Sequence, residues 1–217
     1  MCLTMLTKRD KAIINDLNRF RVMDRNSVAE LHFANLKNPI SAANTVLLRL
    51  LREGQIQRTT ATIPYCYYGP ELTIKKNSAK IGHWLAILNV YKEMRKQGPV
   101  ETFQVEPKYG SKGVAEPDIF AVFRKTPFFI EVQKTLYSEK QMAEKMNRYV
   151  DLCRSGVIPK PFPHVLIVSE QRYAIDGDWP FKVFQAQTFS RFMEALKPKQ
   201  TPQPVRAKEG GIRYIVN

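Results

Sequence analysis

Residues 117–135 read PDIFAVFRKTPFFIEVQKT, and this stretch decides the fold of the larger part of the chain. Two apolar strands flank a turn at Arg124-Lys125-Thr126-Pro127. Asp118 stands at the start of the first strand, and Glu131 and Gln133 stand near the end of the second. Strand side chains alternate, so Glu131 and Gln133 point to one face. An antiparallel return from the turn brings Asp118 back beside them. Acids inside strands this apolar do not serve solubility. Paired carboxylates suit a hard cation: Mg²⁺ takes carboxylate oxygens plus water, and can activate that water while stabilising charge on a phosphodiester. Asp118 and Glu131 are therefore the expected metal ligands.

Working outward, Ser78 caps a helix over 79–96 whose buried stripe is Ile81, Trp84, Leu85, Leu88 and Tyr91. Gly98-Pro99 ends it. Residues 101–106 alternate with period two, and a polar loop over 108–113 leads into Glu116-Pro117. Downstream, a helix over about 138–154 carries Lys145 and Tyr149 one turn apart on one face. Residues 162–169 supply a buried strand. A further strand over 181–185 and a helix to about 196 complete the domain 71–196. The reading is an α/β (α+β) chain.

These motifs resemble the PD-(D/E)XK nuclease superfamily. Its pattern is Pro-Asp, a hairpin, then an acid, any residue and lysine, within an αβββαβ core. Pro117-Asp118 and Glu131 match. The lysine position holds Gln133, and Lys134 arrives one residue late, on the opposite face. The resemblance implies that Asp118, Glu131 and Gln133 are the catalytic set if the domain is active, with Mg²⁺ as cofactor and Lys145 replacing the absent lysine from the next helix. A neutral glutamine cannot supply charge or act as a general acid, so weak or absent cleavage is expected.

The first 70 residues have another pattern. Thr7 with Asp10 is an acidic variant of the capping box and opens a helix to Phe20, with Ile13, Ile14, Leu17 and Phe20 inward. A short helix over 27–33 follows, then Ser41 is read as the N-cap of a helix over 42–53 ended by Gly54. The period then changes to two over 55–59 and 63–68. Three helices and a hairpin resemble a winged helix, in which the third helix enters the DNA major groove. That implies Ser41, Asn44, Thr45 and Arg49 near bases and Arg58 on phosphate. Arg9, Arg25 and Lys37 are further backbone contacts. His32 is read as a packed histidine, and His83 and His164 are isolated and given no catalytic role.

Composition sets the partners. Lys and Arg total 34 against 20 Asp and Glu, a net charge of +14, which suits a phosphate backbone or an anionic membrane surface. No apolar run approaches a bilayer span of about 20 residues. The opening residues lack a signal-peptide core. Cys2, Cys66 and Cys153 are scattered and read as reduced thiols. A cytoplasmic protein with no membrane association is expected. Residues 197–217 form a basic, proline-rich tail expected to be extended or disordered.

The winged helix, the Pro-Asp strand, the second strand with Glu131-Val132 and Thr135, and the helix with Lys145 and Tyr149 together resemble the replication-relaxation family of plasmids, phages and integrative elements of Gram-positive bacteria. The resemblance spans about residues 7–170. It implies an accessory DNA-binding protein or regulator in replication or transcription control, with double-stranded DNA and replication or transcription proteins as partners. The alternatives are a Mg²⁺-dependent deoxyribonuclease and a protein-interaction adaptor whose charge is incidental.

Overall fold

A computed structural model describes residues 5–74, 78–110, 113–175 and 177–198. The tail assignment therefore lies, from residue 199 on, outside the described residues, as does Cys2. The chain is a mixed α/β protein with six helices and two sheets among the described residues.

α1 (Lys8–Phe20) is closed at its start by Thr7 and Asp10, each side chain accepting from the other's backbone N–H, at 3.1 and 2.8 Å. Ile13, Leu17 and Phe20 are fully buried along its inner stripe, each contributing about 1.5–3 kcal/mol by leaving water. β1 (Met23–Asp24) follows. Asp24 caps α2 (Arg25–His32) by accepting from the Ser27 N–H at 2.7 Å.

α3 (Pro39–Arg52) starts earlier than the sequence pattern suggests. Asn38 is the N-cap residue, without a side-chain cap bond, and Ser41 lies in the first turn. The cause is Pro39: its preset φ and missing N–H suit the first helical position. Gly54 follows the C-cap with φ +69°, a left-handed conformation that glycine adopts without strain. β2 (Gln57–Thr59) and β3 (Cys66–Tyr68) form a hairpin, and β1 pairs on the other side of β3, giving the order β1-β3-β2.

α4 (Ala79–Gln97) leads into β4 (Val100–Val105), β5 (Ile119–Phe123) and β6 (Thr126–Gln133). Arg124 and Lys125 make a two-residue turn, both with positive φ (49° and 62°), the handedness that matches strand twist in a tight hairpin. Thr126 and Pro127 therefore belong to β6. α5 (Glu139–Arg154) crosses to β7 (His164–Ser169), which lies parallel to β6. β8 (Val183–Ala186) and α6 (Phe189–Ala195) finish the domain. The sheet order is β4-β5-β6-β7-β8.

Alternation divides the sheet's two faces. Ile119, Ala121, Phe128, Ile130 and Leu166 pack with α4 and α6, whereas Phe129, Val165 and Ile167 pack with Met146 and Tyr149 of α5. α4 is buried more widely than one stripe: Ile87, Val90 and Met94 are inside as well as Ile81, Trp84 and Leu88. The reason is that α4 is covered from two sides, by the sheet and by the N-terminal helices. Phe20, Tyr91 and Phe103 meet with centroids 4.9 Å apart (Phe20–Tyr91 and Tyr91–Phe103). The Arg19 guanidinium lies over all three rings and donates to the Phe103 carbonyl at 3.1 Å. Lys92 of α4 pairs with Glu30 of α2 at 2.6 Å. The core thus runs without a break across residue 70. Among the described residues no helix is long and apolar enough to cross a membrane.

Candidate functional site

The hairpin register pairs Ile119 with Ile130, so one step further Asp118 faces Glu131 across the two strands. Their environments differ sharply. Glu131 is 1% exposed. Its Oε1 accepts from the Tyr149 hydroxyl at 2.6 Å, and its Oε2 is ion-paired with the Lys145 ammonium. α5 delivers both partners because residues four apart share a helix face. Asp118 sits at the rim. Its Oδ2 accepts from the Val132 N–H at 2.7 Å, and its Oδ1 lies 3.0 Å from His83 Nε2.

These contacts set the protonation of the site. Burial pushes the Glu131 carboxyl up to about 7; Lys145 opposes that shift and the Asp118 charge adds to it. Burial alone would lower Lys145, but the charge and hydrogen bond of Glu131 outweigh it and hold the ammonium above its ordinary value. The hydrogen bond to Asp118 raises His83, against a smaller opposing effect of burial. The Tyr149 phenol is held well above its usual range by burial and by the neighbouring Glu131.

The four proposed catalytic residues are not all brought together. Lys145 reaches Glu131 as its helical spacing implied. Gln133 turns away along its own strand exit, donating to the Thr135 carbonyl at 2.9 Å. Lys134 is on the other face, its ammonium 3.3 Å from the Gly82 carbonyl of α4. His83, read from the sequence as isolated, instead lies against Asp118, and Glu106 carried no site reading in the sequence. Glu106 adopts φ +49°, donates its N–H to the Asp118 carbonyl at 2.8 Å and accepts from Trp84 Nε1 at 3.2 Å. The one sequence signal for either was that His83 immediately precedes a core tryptophan. A cavity of about 330 Å³ opens beside Glu131, bordered by Glu116, Tyr137, Lys145 and Arg148.

Two carboxylates meeting across a sheet are the donor type Mg²⁺ takes. Here all four oxygens are already engaged by protein donors, from Tyr149, Lys145, Val132 and His83. Among the described residues no three His, Cys, Asp or Glu side chains converge as a metal-ion group. The arrangement of the two acids is that of an ion pair and a hydrogen-bonded carboxylate.

The candidate DNA-binding residues fall into two groups. Arg25, Asn44 and Arg58 border one cleft of about 310 Å³ between α3 and the hairpin, with Leu48, Tyr65 and Tyr67. Arg58 stacks on Tyr65, 4.8 Å from the ring centre. Ser41 and Thr45 are exposed on the same helix, and Thr45 Oγ1 donates to the Ser41 carbonyl at 3.1 Å. Outside that cleft, Arg49 binds Asp10 at 2.6 Å and Glu53 at 3.1 Å, bridging α3 to α1. Arg9 is exposed and stacks on Phe33 at 4.8 Å, and Lys37 is exposed.

No family model, no characterised protein and no solved structure matches this chain.

Proposed function

We propose that the chain is a DNA-binding protein: a winged helix carrying a domain of the PD-(D/E)XK nuclease type, in which the acid pair serves structure rather than catalysis. The observation that carries the reading is the cleft where Arg25, Asn44 and Arg58 meet between α3 and the hairpin. It joins an amide able to read a base edge to two guanidiniums able to hold phosphate. The order of elements supports the winged helix, with a short strand between the first two helices and a hairpin after the third. The net charge of +14 supports a polyanionic partner. The same reading places the protein, as a proposal, with the replication-relaxation proteins of mobile elements, acting in replication or transcription control. Gel shifts with duplex DNA across a salt series test it: affinity should fall steeply with salt. Weak, salt-independent association sinks it and leaves the adaptor reading.

A second reading, a Mg²⁺-dependent deoxyribonuclease, is favoured by one observation: Lys145 arrives at the acid pair and supplies the cation that Gln133 lacks. Incubation with linear and supercoiled DNA in Mg²⁺ and Mn²⁺, beside Asp118→Ala, separates the two. Cleavage abolished by that substitution establishes the nuclease.

A further inference from the structure

A large cleft lies away from both regions just described. It opens where β7 and β8 begin, beside the end of α5, with a volume of about 1000 Å³. Glu131 pairs with Ile167, three residues along β7 from His164 at the cleft, which is about 10 Å at 3.3 Å per strand residue.

Its walls are aromatic and aliphatic. Phe162 and Phe181 lie with centroids 5.2 Å apart and planes tilted by 32°, and Trp179, Ile158 and three prolines (Pro159, Pro161 and Pro180) also line the cleft. Phe162 and Trp179, both half-buried, line the cleft. Lys160 and Lys182 stand exposed at the margin, and among the described residues the lining contains no acidic side chain. Among the described residues Trp179 Nε1, at the cleft, is buried without a hydrogen-bond partner. Buried polar atoms are nearly always partnered, so such an orphan marks a place where something is missing or can rearrange. Burial and the nearby Lys182 charge keep His164 below its ordinary value.

We propose that this cleft binds single-stranded DNA, with a base stacking on Phe162 and Trp179 and the flanking phosphates held by Lys160 and Lys182. Aromatic faces accept any base, and lysines at the margin track the backbone, the combination by which proteins hold single strands without reading sequence. Lysines at the margin of a chain of net charge +14 favour a polyanion over a peptide. The inference rests on the DNA-binding reading for its partner class but uses a different surface. It gives the protein grip on an opened strand as well as on a duplex.

The test is fluorescence anisotropy of the full chain with labelled oligo(dT) and, separately, a labelled duplex. Lys160→Glu with Lys182→Glu should weaken oligo(dT) binding at least about tenfold, the scale of losing one stacked base and its phosphate contacts, and should leave duplex binding within about twofold. Phe162→Ala should do the same, but Phe162 also packs on Phe129, so the charge-reversed pair keeps the test independent of folding. Arg58→Ala should show the reverse pattern. Unchanged oligo(dT) affinity in the charge-reversed protein overturns the inference, as does a wild-type chain that binds duplex but not oligo(dT). Oligo(dT) binding without duplex binding overturns the winged-helix reading alone. Capture of a labelled proline-rich peptide in place of oligo(dT) overturns the inference in favour of a protein ligand.

Discussion

The Tyr149 hydroxyl donates to Oε1 of Glu131 at 2.6 Å, one helical turn beyond the lysine that holds the other oxygen. Glu131 is thus enclosed between two side chains of α5. At pH 8, where Glu131 is ionised, removing the lysine leaves a buried carboxylate with one neutral donor. Lys145→Ala should destabilise the protein by about 3–5 kcal/mol, the usual cost of orphaning one member of a buried pair. Glu131→Gln with Lys145→Met should recover most of the loss. Urea midpoints of the three proteins decide it: a double variant as unstable as the single one contradicts the account.

Stability should fall as pH rises from about 4.5 to above 7. Glu131 keeps its proton in the folded state up to about 7, whereas an unfolded glutamate loses it near 4.3. Across that interval the folded state binds more protons, so rising pH works against it. His83 acts in the same direction. Its folded value is raised by Asp118, so its contribution is complete below about 6.5 and is lost as pH climbs through the raised value. Glu131→Gln should remove the acidic part of the slope and His83→Asn the part near neutrality. Flat urea midpoints in wild type between pH 5 and 8 would contradict both.

Arg49→Ala should be a stability variant first. Burial works to raise the Asp10 carboxyl, but the Arg49 hydrogen bond and charge, with the Thr7 N–H, hold it below its ordinary value. Without Arg49 a nearly buried carboxylate loses its main partner, at a cost of about 1–3 kcal/mol, reduced by the partial exposure of the guanidinium. Thermal melts measure it. A large change in DNA affinity with an unchanged melting temperature would return Arg49 to the DNA surface.

Asn44 and Arg58 should behave differently from each other. Asn44→Ala should cost about 1–3 kcal/mol of discrimination between a preferred and a random duplex. Arg58→Ala should weaken all duplexes alike and lower the salt slope by about 1. Selection of a preferred sequence followed by paired titrations reads both. Equal losses on every sequence for both variants would remove Asn44 from base reading.

Much of this architecture is legible in the sequence because it is local. The Pro117–Thr135 hairpin, the four-residue spacing of Lys145 and Tyr149, and the reciprocal cap of Thr7 and Asp10 each declare themselves within a few positions. What stays hidden depends on distance along the chain. His83 meets Asp118 across 35 residues, and Arg49 meets Asp10 across 39. No periodicity encodes either. β1 is two residues long, too short for alternation to register. The extra buried face of α4 is invisible without knowing that the N-terminal helices settle on it. Gln133 looked like a site residue because alternation gives its face, but not the torsions that send its amide to Thr135.

The ring stack of Phe20, Tyr91 and Phe103 under Arg19 has a practical consequence for anyone who would divide the chain. A cut near residue 70 would leave Tyr91 and Phe103 facing water with their lid removed. The remaining fragment should clump or loosen, and its failure to bind DNA would say nothing about which surface touches DNA. Surface substitutions, not truncation, are the proper scalpel for this molecule. The same stack ties α1 to α4 and to β4 at the edge of the large sheet, so the two parts of the chain share one packed seam.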